Sequence, residues 1–292
     1  MRPTPRHGLA LLAATALLAA CGQAQPEASG STDRVTIVAD VYPTAFAASA
    51  IGGDAVEVVL LTQPGVEPHD LELTPEQVRQ IADADLVVHI PGLIPAVAEA
   101  AAAEAPDRTV DVTAGIVRAT SSDGSPSGDP HVWLDPRSMT AMGDAIARAL
   151  SEHDLGSGWD TAGLAGQMEA LDADYHEALG QCRIRPLVVT HEAFGYLADA
   201  YGFEQHALSG MSPEAEPSPA RLADIARLVR EQGVTTVYHE ALVSPEAAEA
   251  LARETGARTA VLDPIEGSTD GRSYPDLMRA NLEALVAGQD CA

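Results

Sequence analysis

The chain has 292 residues, of which 46% are hydrophobic, enough for one large or two medium domains with buried cores. Its formal net charge is −26, and every basic side chain is arginine. A surface this acidic argues against binding to nucleic acid and against electrostatic docking on anionic lipid. It favours cations in a general way but does not by itself define a site.

The N-terminus has the pattern of an export signal. A basic start precedes an apolar run over residues 8–20, and Cys21 follows directly. The run is too short for a permanent transmembrane helix. The ending Leu-Ala-Ala-Cys resembles a bacterial lipobox, which implies cleavage before Cys21 and acylation of its thiol; an ordinary secretory signal is the alternative. We predict a signal peptide over 1–20, a flexible tether over 21–33, and an extracytoplasmic protein anchored to the cell membrane.

Two further cysteines, Cys182 and Cys291, belong to the exported part of the chain. Disulfides are permitted outside the cytoplasm, and two thiols at the start and the end of one predicted domain suggest a bridge. Two buried free cysteines are the alternative, because a sequence does not show the Cα separation that a bridge requires.

Strand and helix patterns alternate through the first half of the mature chain. This alternation predicts right-handed crossovers and a mainly parallel sheet that is covered on both faces. The strand patterns lie at residues 35–41, 56–61, 86–90 and 109–112.

The second half repeats the alternation after one long helical pattern. Between Trp159 and Leu179 the apolar residues recur at spacings of three to five, as in a helix long enough to bridge two lobes. Strand patterns follow at 186–190, 204–208, 234–239 and 258–262. We predict an α/β monomer with an N-terminal lobe at 34–155, a linking helix at 156–181 and a C-terminal lobe at 182–292.

Three histidines and one aspartate lie just past the carboxyl ends of predicted strands: His69, His131, His191 and Asp263. His131 is held between two Asp-Pro pairs, which restrict its backbone. Carboxyl ends of strands are where α/β sheets bind ligands, so two groups from each lobe could meet at a single ion. His239 follows the same rule and competes for this role.

Three imidazoles and one carboxylate would fill a tetrahedral zinc shell. A filled shell leaves no position for an activated water, which favours binding over hydrolysis.

Several motifs together resemble a known family, the metal-binding solute-binding lipoproteins of bacterial zinc and manganese ABC importers (cluster A-I periplasmic binding proteins). The motifs are Val41-Tyr42-Pro43, Gly65–Asp70 with Thr74-Pro75, Asp129–Pro136, Thr190–Tyr196, Pro213–Pro219 and Leu262-Asp263-Pro264. The resemblance covers essentially the whole mature chain.

The resemblance implies two α/β lobes on a rigid helix, with Zn²⁺ bound between them and delivered to a membrane permease driven by an ATPase. Carried over residue by residue, the ligands are His69, His131, His191 and Asp263. Zinc-type members have His at the third position, where manganese-type members have Glu.

Some alternatives stay open at this point. Glu67 is a rival for the carboxylate position or a neighbour of the ligands, and His239 is a possible auxiliary ligand. The same scaffold could be specific for Mn²⁺ or Fe²⁺. A function of a different class, a lipid-anchored zinc hydrolase, would need an open coordination position; we expect no enzyme activity.

Overall fold

The computed structural model describes residues 34–63, 65–117, 128–213, 215–267 and 271–291. The predicted signal peptide, the tether and Cys21 lie outside the described residues. Arg34–Ala292 form one compact unit. Within the described ranges, no helix combines the length and the hydropathy that crossing a membrane requires.

The N-terminal lobe is built on a parallel sheet of four strands. They are β1 (Val35–Ala39), β2 (Val56–Leu60), β3 (Leu86–His89) and β4 (Thr109–Asp111). Their order in the sheet is β2-β1-β3-β4. The helices of this lobe are α1 (Tyr42–Gly52), α2 (Pro75–Asp83), α3 (Pro95–Glu104) and α4 (Pro136–Glu152). Each of them has proline in its first turn, where the missing N–H costs no hydrogen bond.

The C-terminal lobe repeats the same sheet order with its own four strands. They are β5 (Pro186–Val189), β6 (Glu204–Ala207), β7 (Thr236–His239) and β8 (Arg258–Val261). All pairs are parallel, in the order β6-β5-β7-β8. Its helices are α6 (Gly195–Tyr201), α7 (Pro219–Gln232), α8 (Glu246–Thr255) and α9 (Tyr274–Gly288). The predicted α/β fold with two parallel sheets flanked by helices is therefore confirmed.

One long helix, α5 (Thr161–Leu179), connects the lobes, as the apolar spacing predicted. Its 19 residues extend over about 28 Å. Asp160 caps its first turn by accepting a hydrogen bond from the backbone N–H of Gly163. A Cβ atom added at Gly143 of α4 would lie 2.4 Å from Cδ2 of Leu164, so glycine is what allows α4 and α5 to pack this closely.

The sulfur atoms of Cys182 and Cys291 are bonded to each other in the structure. Beside them, the backbone N–H of Ile184 donates to the carbonyl of Gln289, and Arg183 forms an ion pair with Asp290. These contacts hold the end of α9 against the start of the C-terminal lobe.

The two lobes share a hydrophobic core. The larger buried cluster contains Ile37 and Val88 from one sheet together with Leu187 and Val189 from the other. A smaller cluster lies within the C-terminal lobe, where α7 and α8 cover β5 and β7. The boundaries at residues 155 and 182 stay a prediction, and one buried cluster extends across both sheets.

Buried hydrogen bonds join the lobes through Trp133. Its indole N–H donates to the carbonyl oxygen of Pro264 at 2.7 Å, and its own carbonyl accepts from the hydroxyl of Tyr274. The ring of Tyr274 stacks on Phe46 of α1, with ring centroids 5.1 Å apart. Trp133 and Tyr274 are fully buried, so these bonds are shielded from competing water.

We predict that Tyr274→Phe destabilises the fold, because it leaves the buried carbonyl of Trp133 without the hydroxyl donor. The expected loss is about 1–3 kcal/mol in the free energy of urea unfolding. Tyr42→Phe is the matched control: Tyr42 also contacts Phe46, but its hydroxyl donates only a long bond of 3.4 Å to Arg272, near the surface. That control should cost less than about 0.5 kcal/mol, and equal losses in the two variants would contradict the assignment.

Candidate metal centre

Three of the predicted residues meet at the facing ends of the two sheets. His69 lies on a 3-10 turn (Pro68–Asp70) after β2, His131 precedes a second 3-10 turn (Val132–Leu134), and His191 follows β5. His131 and His191 are fully buried, and the side chain of His69 is 12% exposed. The Nε2 atoms of His69 and His131 are 3.3 Å apart. The structure therefore brings together the three histidines that the sequence singled out.

The carboxylate beside these rings belongs to Glu266. Its Oε1 atom lies 2.5 Å from Nε2 of His131 and 3.5 Å from Nε2 of His69. One donor atom from each of His69, His131, His191 and Glu266 lies within 4.8 Å of the others. Glu266 is 2% exposed, so the group is a buried one with three imidazoles and one carboxylate.

Asp263, the expected fourth ligand, is not among the donor atoms that come together. Its Oδ1 accepts a hydrogen bond from the backbone N–H of Ile265 at 2.8 Å, and its own N–H donates to Asn281. Ile265 has a φ of 62°, a left-handed conformation, so the chain turns back after Pro264 and brings Glu266 to the imidazoles. Asp263 shapes the turn that presents Glu266.

The two other candidates also lie outside the group. Glu67 caps the turn that carries His69, because its Oε1 accepts from the backbone N–H of His69 at 3.3 Å. Burial and, after it, the nearby charge of Glu266 together raise the pKa of Glu67 to about 7. Nδ1 of His239 contacts the carbonyl of Glu240 at 3.1 Å.

Two of the three histidines have a carboxylate on the opposite side of the ring. Nδ1 of His131 lies 2.6 Å from Oδ1 of Asp129, and Nδ1 of His191 lies 2.5 Å from Oε1 of Glu240. No sequence pattern predicted a role for either carboxylate. The Asp-x-His spacing was a local signal for Asp129, whereas Glu240 is 49 residues from His191 and only the fold brings it there.

The charges of this group shift two pKa values strongly. Burial alone would lower the pKa of His131, but the carboxylates of Glu266 and Asp129 outweigh it and raise that pKa to about 10. Burial would raise the pKa of Glu266, but His131 and then His69 outweigh it and hold that pKa far below its ordinary value. Without a metal ion, His131 and Glu266 therefore form a buried ion pair.

The donor set suits zinc. Imidazoles with one carboxylate form tetrahedral zinc sites, and two nitrogens bound to one such ion are about 3.3 Å apart, given Zn–N bonds of about 2.0–2.1 Å. The 3.3 Å between Nε2 of His69 and Nε2 of His131 matches this distance. The 2.5 Å between His131 and Glu266 is that of a direct contact, so an ion would have to separate these two groups.

Fold and site together define a two-lobed α/β metal-binding protein whose centre lies between parallel sheets. A sequence profile described as "Zinc-uptake complex component A periplasmic" (ZnuA) matches residues 37–288, and the chain belongs to this family.

Curated relatives agree with this assignment. The chain is 31% identical to zinc-binding protein AdcA of Streptococcus pyogenes serotype M1, over 89% of this chain and 57% of that protein. It thus spans somewhat more than half the length of that relative. It is 32% identical to the high-affinity zinc uptake system protein ZnuA of Bacillus subtilis, over 95% of this chain and 96% of that one.

A solved structure shows the same fold. The Zn(II)-bound ZnuA-like domain of Streptococcus pneumoniae AdcA superposes with a TM-score of 0.73 at 31% identity. The match covers 88% of this chain and 99% of that domain.

We predict that Glu266→Gln lowers zinc affinity far more than either matched change, Asp263→Asn or Glu67→Gln. Removing a direct ligand should lower zinc affinity by more than the roughly 10–100-fold that is typical of removing a residue that only supports a ligand. Asn at 263 keeps an oxygen for the N–H of Ile265, so its effect, like that of Glu67→Gln, should stay within about threefold. Competition with a chromogenic chelator measures all three, and a larger loss for Asp263→Asn would restore Asp263 as the carboxylate ligand.

We also predict that zinc displaces a proton from His131. The raised pKa of about 10 means that this imidazole is protonated at pH 7 in the metal-free protein, and a protonated Nε2 cannot coordinate metal. The ion pair with Glu266 stabilises the metal-free fold fully below the ordinary imidazole pKa of about 6.5, and this contribution is lost as pH rises through about 10.

Calorimetry at pH 7.5 in buffers of different ionisation enthalpy should therefore show release of about one proton per zinc ion, falling to about half a proton near pH 10, where His131 is half deprotonated before zinc binds. Binding should weaken as pH falls, because protons compete for the imidazoles. Proton release near zero at pH 7.5 would contradict the ion pair.

Proposed function

We propose that this protein is a high-affinity extracytoplasmic receptor that binds Zn²⁺ and delivers it to an ABC-type importer. The observation that carries the proposal is the buried group of His69, His131, His191 and Glu266, whose donor atoms lie within 4.8 Å of one another. Three imidazoles with one carboxylate suit zinc, whereas carboxylate-rich sites suit manganese or magnesium.

The proposed partners are the membrane permease and the ATPase of such an importer. Membership of a family described as a component of a zinc-uptake complex supports these partners. The zinc names of the streptococcal and Bacillus relatives support the identity of the cargo.

We further propose that the protein is held at the membrane by a lipid on Cys21, after removal of residues 1–20, and that residues 21–33 act as its tether. The lipobox-like ending before Cys21 supports this arrangement. A similar protein of Streptococcus pneumoniae serotype 4, 32% identical over 97% of this chain, is named zinc-binding lipoprotein AdcA. We expect the anchored protein to be a monomer.

The four donor groups favour binding over catalysis. Four protein ligands around a tetrahedral ion leave no position for the water that a zinc hydrolase activates. A hydrolase would require one of the four groups to stay unbound, and Glu266 already contacts two of the imidazoles. The proposed role is therefore that of a binding protein.

Titration of metal-stripped protein with Zn²⁺, Mn²⁺ and anaerobic Fe²⁺, read out by calorimetry and metal analysis, tests the proposal. One zinc ion per chain should bind, much more tightly than either competitor, because imidazole nitrogen suits zinc better than manganese. His191→Glu should reduce the preference for zinc over manganese by at least about tenfold.

The matched control is His153→Glu, since His153 is exposed at the end of α4 and should leave both affinities unchanged. Manganese binding as tight as zinc binding in the unaltered protein would favour the manganese-specific alternative. Strong metal binding combined with turnover of ester or amide substrates would favour the hydrolase.

A further inference from the structure

Glu240 carries a buried carboxylate that is not one of the four donor groups of the metal centre. It follows β7 immediately and is 2% exposed. Its Oε1 atom lies 2.5 Å from Nδ1 of His191 and also accepts the hydroxyl hydrogen of Thr190 at 2.8 Å. Thr190 and His191, which are consecutive in the chain, thus both contact Oε1 of Glu240.

The contact determines which nitrogen of His191 is free. A carboxylate oxygen accepts hydrogen bonds, so Nδ1 of His191 carries the hydrogen and Nε2 carries the lone pair. Nε2 is buried and has no hydrogen-bond partner within the described residues. It also belongs to the set of atoms that lie within 4.8 Å of one another at the centre. The ring is therefore held in the tautomer that a metal ion requires.

The fold explains why this carboxylate comes from so far along the chain. In the N-terminal lobe, Asp129 contacts Nδ1 of His131 from only two residues away. In the C-terminal lobe the acidic neighbour of His191 is Glu192, which is exposed and whose N–H bonds to Gly210. Since β5 and β7 are adjacent in the sheet, their carboxyl ends lie side by side, and the residue after β7 reaches the ring instead.

We propose that Glu240 is a positioning residue of the zinc centre: it fixes the tautomer and ring orientation of His191 so that Nε2 faces the ion. This inference rests on the proposed zinc-binding function. The proposal gives the adjacent residues His239 and Glu240 different roles. The carboxylate of Glu240 positions a zinc ligand, whereas the imidazole of His239 does not take part in the centre.

Three variants of Glu240 and its surroundings separate positioning from charge. Glu240→Leu removes the acceptor and should lower zinc affinity by about 10–100-fold. Glu240→Gln removes the charge but keeps an oxygen that accepts from Nδ1–H, so it should retain zinc affinity to within about fivefold of the unaltered protein, which is rescue relative to leucine. Thr190→Val removes the second donor to the same oxygen without touching the ring and should stay within about threefold.

Glu192→Ala is the matched control, because Glu192 adjoins His191 in sequence but points to solvent. Zinc affinities of all variants come from competition with a chromogenic chelator, after circular dichroism has shown that each is folded. Equal losses for leucine and glutamine at position 240 would overturn the positioning role in favour of a purely electrostatic one. Unchanged affinity in Glu240→Leu would also overturn it.

A second readout does not depend on zinc, and its decisive measurement uses the unaltered protein. Long-range ¹H–¹⁵N correlation spectra of the metal-free protein report which nitrogen of His191 is protonated. The expected result is Nδ1–H in the unaltered protein and in Glu240→Gln, with a mixture of tautomers in Glu240→Leu. Nε2–H in the unaltered protein would overturn the proposal even if Glu240→Leu failed to fold. If the unaltered protein failed to bind zinc, the proposed function would fall, while the tautomer would still decide the role of Glu240.

Discussion

A single buried hydrogen bond sets the distance between the two halves of the metal group. The indole of Trp133, two residues after His131, donates to the carbonyl of Pro264, two residues before Glu266. This bond crosses from one lobe to the other, and the hydroxyl of Tyr274 reinforces it from α9. Because the bond is shielded from water, the spacing of His131 and Glu266 is a property of the core. The contact between these two side chains follows from that spacing.

Much of the fold was predictable because its signals are local. Alternating strand and helix patterns gave the two parallel sheets, and apolar spacing gave α5. The position of each histidine relative to a strand end gave His69, His131 and His191. The carboxylate that meets the imidazoles, Glu266, lies three residues after the expected Asp263: Asp263 is two residues past the end of β8, and the left-handed backbone of Ile265 then turns the chain. A β-branched residue rarely adopts that conformation, so no sequence rule would have placed the turn there.

The carboxylates that contact the ligand imidazoles also differ in how far sequence predicts them. Asp129 contacts His131 within one loop, and an Asp-x-His spacing contains that information. Glu240 depends on the order of strands in the sheet, because only the adjacency of β5 and β7 brings it to His191. Sequence position reveals contacts that are local. It does not reveal contacts that strand order creates, and one of the two carboxylates that contact the ligand imidazoles from outside the group, Glu240, is such a contact.

The core shared by the two lobes has a kinetic consequence. Since the sheets are already packed against each other, the backbone that carries the ligands is held in place, and the change that zinc binding requires is confined to side chains such as those of His131 and Glu266. For any receptor with an association rate of about 10⁷ M⁻¹s⁻¹, a dissociation constant on the order of 1 nM corresponds to spontaneous release over roughly 100 seconds. In the proposed function, zinc held this tightly would stay bound through many encounters, so timely discharge would require another molecule to deform the centre.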